Sequence, residues 1–235
     1  MVALTVTTDP APPDRFLIAC GVAEVPWDVY INRPNIGAVP AFHALWEKHK
    51  EEDALVYLHS DVTIHDANWL ERLCLELMDP QTAIVGFGGA IGIGVPDIYK
   101  LPYRIEQLIR IGYRSNQTGW KIHGENEVGE CKVAVLDGFA MAFKGSFLRE
   151  LGGWSWIQSN FHTYDLAMCL EAYRRGYNVK MVGVSCEHHG GGTSTKKEYA
   201  TFCREHATTM EDEHSRPHVW LYNRYRDMLP LRVTP

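Results

Sequence analysis

The chain has 235 residues, of which 46% are hydrophobic and 22% charged, with a net charge of −6. That length suffices for one well-packed core, and no low-complexity linker divides it. The acidic balance disfavours nucleic-acid binding through overall charge, and no apolar run approaches the roughly 20 residues that span a bilayer.

Met1 to Asp14 carries three prolines and two acids but no basic stretch followed by an apolar one. It is expected to be an extended arm rather than a signal peptide, in a cytoplasmic protein. Arg15 to Val22 is expected as a first buried strand and Trp27 to Asn32 as a second, leading into a turn at Pro34 and Gly37. Ala41, Leu45 and Trp46 recur at helical spacing between Pro40 and Lys50. The apolar run from Asp53 then reads as a buried strand that ends abruptly in His59, Ser60 and Asp61. Asp66 can cap a helix with the stripe Leu70, Leu73, Cys74 and Leu77.

Ala83 to Gly89 reads as a strand entering a glycine-rich segment whose spacing does not fit the dinucleotide fingerprint. A helix around residues 103–111 and a long loop are expected next. Val133 to Phe143 is strand-like, interrupted at Asp137-Gly138, and Ser146 can cap a short helix ending at Gly152-Gly153. Thr163 can cap a helix lined by Leu166, Cys169, Leu170 and Tyr173, with Gly176 as its left-handed stop. Asn178 to Glu187 is a strand running into His188, His189 and three glycines, and Lys197 to Met210 is a helix. The expected organisation is an arm over 1–14, one domain over 15–195 and a helical, aromatic appendage over 196–235. The alternation of elements predicts an α/β sheet with helices on both faces. Six cysteines without a Cys-x-x-Cys spacing are expected to be free thiols in apolar runs.

In such a sheet, ligands collect beyond the carboxyl ends of strands. Asp61 stands at one such end, and its carboxylate suits Mg²⁺ or Mn²⁺ bridging a diphosphate, although an Asp capping a turn would give the same local pattern. His188 and His189 stand at another. Adjacent histidines in a strand face opposite ways, so one of them, by preference His189, is expected to reach the same metal; a pair of solvated histidines is the plainer alternative. Asp165, in the first turn of its helix, is placed to act as a general base, yet first-turn acids are common without any such role. Asp137-Gly138 is either a turn beside the pocket or simply a turn. Lys100, Arg104, Arg110 and Arg114 interleave with Tyr99, Tyr103, Tyr113 and Trp120, a mixture that can track phosphates and stack bases or form an ordinary amphipathic lid.

Taken in order, Asn35-x-Gly37, His59-Ser-Asp61-Val62, Leu136-Asp-Gly138-Phe139, Tyr164-Asp165-Leu166, Gly176-Tyr177 and His188/His189 resemble the family 2 glycosyltransferases of the GT-A fold. The likeness is greatest to the group in which Asp-x-Asp is replaced by His-x-Asp-Val. The resemblance implies a mixed central sheet of Rossmann-like type and a nucleotide-diphospho-sugar donor. It also implies Asp61 on a divalent metal, Mn²⁺ or Mg²⁺, and Asp165 as the base of an inverting hexosyl or pentosyl transfer. Asn35 and Gly37 would shape the donor pocket, His59 stands where a first Asp often contacts the donor, and Asp137 and Gly138 would border sugar and acceptor. Glu24 and Asp28 are the candidates for the nucleotide-binding acid, and Ala167 stands where relatives often carry a further acid. The implied acceptor is a saccharide, a lipid-linked sugar or a hydroxymethylated DNA base. A different class, a catalytically inert sugar-nucleotide or glycan-binding module, would keep the fold without the chemistry. The sequence leaves the oligomeric state open.

Overall fold

The computed structural model describes residues 1–94, 129–190 and 197–234, and within 95–128 the backbone of four short strands. In chain order the elements are β1 (Val2–Thr7), α1 (Asp14–Val22), β2 (Trp27–Ile31), α2 (Ala38–His49), β3 (Ala54–Leu58), β4 (Val62–Ile64), α3 (Trp69–Met78), β5 (Thr82–Gly86) and β6 (Gly88–Gly94). There follow β7 (Tyr99–Leu101), β8 (Arg104–Ile105), β9 (Ile109–Ser115), β10 (Gln117–Gly119), β11 (Glu130–Lys132), β12 (Val135–Leu136) and β13 (Ala140–Lys144). The chain closes with α4 (Gly145–Leu151), α5 (Tyr164–Arg174), β14 (Asn178–Val182), β15 (Cys186–His188), α6 (Lys197–Glu205), α7 (Met210–Tyr225) and β16 (Leu231–Arg232).

Seven strands form the central sheet in the order β11-β14-β5-β13-β3-β1-β2. β1 runs parallel to both β2 and β3, and β14 parallel to β5, while β13 lies antiparallel between β3 and β5. The sheet is therefore mixed, as expected. β3 shows why it is buried on both faces: Leu55 and Tyr57 point into one apolar cluster and Val56 and Leu58 into the other. Such a strand reads as a continuous apolar run rather than an alternating one. α1 and α3 contribute Phe16, Cys20, Trp69, Leu73 and Leu77 to the cluster on one face. α2, α4, α5 and α7 supply Phe42, Leu45, Phe147, Leu148, Leu166, Leu170 and Leu221 to the other.

Several expectations are corrected. Residues 1–14 are not an arm, because β1 lies inside the sheet between β3 and β2. The run from Arg15 to Val22 is helical, burying Phe16, Ala19 and Cys20 at the i, i+3, i+4 spacing while Ile18 and Val22 face outward, 64% and 57% exposed. The expected helix over 103–111 is not formed where the chain is described. Ile109 to Ser115 pairs antiparallel with β6, and its Ile-Arg-Ile-Gly-Tyr-Arg order has the two-residue period of a strand. The interleaved Lys, Arg and aromatic side chains of 99–120 lie outside the described residues. Thr163 precedes α5 but does not cap it by its side chain; it adopts a left-handed conformation, φ 60°. The cap forms instead at α7, where the Thr209 hydroxyl accepts from the Asp212 amide at 3.0 Å.

The C-terminal segment is no appendage either. Leu221 and Tyr225 are fully buried in the same cluster as α5, and Trp220 and Tyr222 pack partly buried against it. The Tyr225 hydroxyl donates to Glu171 Oε2 at 2.7 Å. Burial acts to raise the Glu171 carboxyl, but hydrogen bonds from Tyr225, Arg224 and Arg175 override it and hold the pKa below the ordinary value. All six cysteines are free and five are buried. Leu221→Ala is accordingly expected to lower the unfolding free energy by about 2–5 kcal/mol in urea denaturation. A loss within about 0.5 kcal/mol would place α7 outside the cooperative core.

Candidate functional site

β3 ends where its sheet neighbour β13 begins. Ala140 pairs with Leu58, and the His59 amide donates to the Phe139 carbonyl at 2.8 Å. The next residues, His59 to Asp61, leave the sheet at its carboxyl edge. β15 returns to that edge by pairing antiparallel with β4, His188 opposite Val62. Asp61 and His188 thereby face each other, with His188 Nε2 3.4 Å from Asp61 Oδ1. His59 Nδ1 approaches the same oxygen at 4.0 Å.

The ligand atoms of His59, Asp61 and His188 all lie within 4.8 Å of one another. Metal–ligand bonds of about 2.0–2.2 Å set neighbouring ligand atoms about 3–3.5 Å apart, so small rotations bring these three to a single cation. The stacking of His188 on Phe139, ring centroids 5.0 Å apart, fixes the approach of that imidazole. Gly190 supplies the space above it. A Cβ there would come within 2.8 Å of both Asp61 Oδ2 and His188 Nε2, although the backbone at 190 is not in the left-handed region that calls for glycine. Open room over two ligand atoms and a mixed oxygen and nitrogen donor set fit a divalent cation.

The preference for His189 is corrected by strand geometry. Its amide continues the ladder to the Asp61 carbonyl at 2.9 Å, which turns the side chain to the opposite face. There its Nε2 lies 3.0 Å from Thr63 Oγ1 and 3.5 Å from Glu187 Oε2.

A cleft of 370 Å³ opens beside the three ligands, lined by Val6, Thr7, Thr8, Asp9, Asn32, Asn35 and Phe161 among others. Asn35 Oδ1 accepts from the Gly37 amide and from buried Asn32, which shapes the turn into α2. Gly37 itself lies outside the lining. It takes φ 95° at the helix entry, where a Cβ would meet Asn160 at 3.0 Å. Neither Glu24 nor Asp28 reaches the cleft. Asp28, near the opposite end of β2, pairs with Lys48 at 2.8 Å and His49 at 2.9 Å. Asp9, beyond the end of β1, lines the cleft together with Asp61 and Glu198, and the arm reading hides it.

A second, smaller cleft of 200 Å³ gathers Asp137, Gly138, Asp165 and the segment Phe161–Leu166 with His214 and His218 of α7. Asp165 is 7% exposed, and its Oδ1 accepts from the Leu166 amide at 2.9 Å. The Thr163 hydroxyl beside it is buried without a hydrogen-bond partner among the described residues. Asp137, Gly138 and Asp165 thus line one cleft, and Asn35, His59, Asp61 and His188 the other. Phe161 borders both, and Tyr164 of the second cleft bonds His59 of the first, Oη to Nε2 at 2.8 Å. The histidines at 162, 214 and 218 carry no motif in sequence. Only the packing of α7 on the Phe161–Tyr164 segment assembles them.

His162 has its pKa pushed down to about 4 by burial and by the nearby His214 and His218. Burial also lowers His214. His162 is therefore neutral in the folded protein above about pH 4, bonded to the Tyr199 hydroxyl at 3.0 Å. Around it stand Asp137, Asp165, His214 and His218, with Tyr199 from α6.

The chain matches, over residues 44–217, the family described as Glycosyltransferase like family. No curated protein matches it. Among solved structures, GalNAc-T7 with UDP, GalNAc and Mn²⁺ is similar at 11% identity and a TM-score of 0.57, over 86% of this chain and 47% of that one. A mannosyltransferase from Pyrobaculum calidifontis in complex with GDP-Man and Mn²⁺ is similar at 14% identity and a TM-score of 0.51, over 94% and 69%. The fold is the GT-A fold that the motif order implies.

Two expectations follow. Gly190→Ala is expected to weaken Mn²⁺ binding about tenfold or more, measured by the paramagnetic resonance of free Mn²⁺, with little change in melting temperature. Equal affinity would mean that the space above Asp61 and His188 is not where the ion sits. For His162, an unfolded chain binds its proton near pH 6.5 and the folded one only near 4, so stability is retained above pH 6.5 and lost as pH falls through that window. Denaturation midpoints of the wild type should fall more steeply from pH 6.5 to 4 than those of His162→Asn, and parallel slopes would refute the assignment.

Proposed function

Because the chain belongs to the glycosyltransferase-like family, we propose that it moves a sugar from a nucleotide-diphospho-sugar to an acceptor hydroxyl with inversion, using a divalent cation. The observation that carries this reading is the convergence of His59, Asp61 and His188 at the rim of the larger cleft. The donor lies in that cleft, its nucleoside among Thr7, Thr8, Asp9, Asn32 and Asn35 and its diphosphate toward Asp61. Asp9 takes the place of the nucleotide-binding acid. Asp61, His188 and His59 would hold the cation, which supplies positive charge against the departing diphosphate. Two imidazoles beside one carboxylate favour Mn²⁺ over Mg²⁺, whose preference is for oxygen ligands. Mn²⁺ accompanies UDP and GalNAc in one of the two similar structures and GDP-Man in the other, which supports the same choice.

The acceptor hydroxyl enters the second cleft and meets Asp165. Its oxygen attacks the anomeric carbon as the bond from that carbon to the diphosphate oxygen breaks, and Asp165 takes the hydroxyl proton. Burial of Asp165 excludes water that would otherwise compete for the carboxylate. Asp137 and Gly138, just before β13, line the second cleft beside Asp165, where the donor sugar and acceptor would meet. The neutral imidazoles of His162 and His214 both donate and accept hydrogen bonds, which suits an uncharged hydroxyl-bearing acceptor such as a saccharide.

Incubation with a panel of nucleotide sugars and Mn²⁺, with and without chelator, should give chelator-sensitive release of a nucleoside diphosphate, increased by a saccharide acceptor. Asp165→Asn should lower transfer by about 10²–10⁴-fold while donor binding persists. Donor binding without release in the wild type would identify an inert binding module instead.

A further inference from the structure

His59 can serve a cation only through an unprotonated ring nitrogen, and the neutral ring has one nitrogen of each kind. Nδ1 faces Asp61, at 4.0 Å from Oδ1 and so beyond hydrogen-bond reach of that oxygen. Nε2 points the other way, into the first turn of α5, and lies 2.8 Å from the Tyr164 hydroxyl. That hydroxyl also lies 3.2 Å from the Gly138 carbonyl, which can only accept. A phenol has a single proton. When it goes to Gly138, the phenolic oxygen accepts from His59 Nε2–H, and the lone pair of the imidazole is left on Nδ1. The direction of the chain runs from His59 through Tyr164 to Gly138.

We propose that Tyr164 is a positioning residue that selects the Nε2–H tautomer of His59 and thereby presents Nδ1 toward Asp61 and His188 as the third ligand. This rests on the cation reading of the three-residue group. A partner on the distal ring nitrogen is the usual means of fixing the tautomer and orientation of a ligating histidine. Here the partner is a hydroxyl whose own proton is committed to main chain, so it acts on the imidazole as an acceptor.

The surroundings hold that hydroxyl in place. The Tyr164 ring is 7% exposed and packs edge-on against Phe42, with Trp154 on another side. Gly138 forms the notch that admits the phenol end, since a Cβ at 138 would overlap the Tyr164 hydroxyl and ring. Gly138 is not in the left-handed region, so its lack of a side chain serves the approach of Tyr164 rather than the turn. The notch is anchored in turn by the Asp137 amide, which donates to Gly88 of β6 at 2.9 Å. Because Tyr164 immediately precedes Asp165, the helix turn that carries the proposed base also orients one ligand of the proposed cation.

The test separates orientation from packing. Tyr164→Phe keeps the ring and removes only the hydroxyl, and Gly138→Ala keeps the hydroxyl but closes its notch. Each is expected to raise the Kd for Mn²⁺, read from the resonance of free Mn²⁺ with the full chain, by about tenfold. In a His59→Ala background, Tyr164→Phe should change the Kd no further, whereas a packing role would act equally in both backgrounds. In metal-free protein labelled with ¹⁵N-histidine, the His59 ring shifts should report protonated Nε2 in the wild type and a mixture of tautomers in Tyr164→Phe. Unchanged Kd in Tyr164→Phe, multiplicative effects in the double variant, or a protonated Nδ1 in the wild type would each overturn the proposal. Asp61→Asn distinguishes the underlying reading: if it too leaves Mn²⁺ binding intact, the cation site itself is lost, whereas loss only in Asp61→Asn removes Tyr164 alone.

Discussion

The site depends on the register in which β13 is inserted antiparallel between β3 and β5. With Ala140 opposite Leu58, the first residues of β13 lie beside the last residues of β3, so Asp137 and Gly138 stand at the same sheet edge as His59 and Asp61. A parallel strand in that position would have carried them to the far edge. A slip of one residue would turn Ala140 and Ala142 away from the face they share with Val56 and Leu58 and bring Met141 and Phe143 onto it. The apolar pattern of the sheet interior therefore determines the placement of polar groups that make no contribution to that interior. The hydrogen bond from the His59 amide to Phe139 is the last rung of this ladder and the first element of the site.

From that edge the polar groups divide according to what lies behind them. His59, Asp61 and His188 remain partly open, with side chains 33%, 21% and 19% exposed, as the proposed ligands to an exchangeable cation and donor must be. Asp165 and the Phe161–Tyr164 segment are more deeply enclosed by α7. A carboxylate at the first turn of a helix is favoured as the anion by the exposed amides, which offsets the cost of enclosing it. The left-handed Thr163 just before it costs about 1–3 kcal/mol and is held by the packing on both sides. Strain of that kind beside an enclosed carboxylate and a hydroxyl with no partner among the described residues is expected where a segment is shaped for a ligand rather than for stability.

The legible part of this chain is the part in which one residue pattern has one physical solution. β3 could be read because an apolar run bounded by polar residues, five residues long, is too short for a helix. α5 and Gly176 could be read from a stripe and a left-handed stop. The run Arg15–Val22 misleads because it is apolar after Arg15, and only the spacing of Phe16, Ala19 and Cys20, behind Pro13 and Asp14, marks it as a helix. Taking it as the first strand displaces β1 from the sheet and with it Thr7, Thr8 and Asp9 from the cleft. The choice between His188 and His189 is set by which of them lies on the Asp61 side of β15, a matter of phase that the strand period alone leaves open. His162, His214 and His218 are not legible at all, since their proximity arises from the docking of α7.

That docking also binds the two clefts to each other. The segment from Asn160 to Tyr164 is held by α2 through the Val39 amide to the Asn160 carbonyl, at 3.0 Å, and by α7 through the Asn160 side chain to Glu213, at 3.1 Å. Phe161 then packs on Tyr199 and Phe202 of α6, and Tyr164 on Phe42 of α2. One short segment, fixed at both ends, therefore contributes a wall to the larger cleft, a wall to the smaller one and the hydroxyl that touches His59. A ligand that shifts Phe161 in one cleft must shift it in the other, because the aromatic cluster behind it has no room to absorb the displacement. On the proposed reading, occupancy of the donor side would be felt on the acceptor side through this packing.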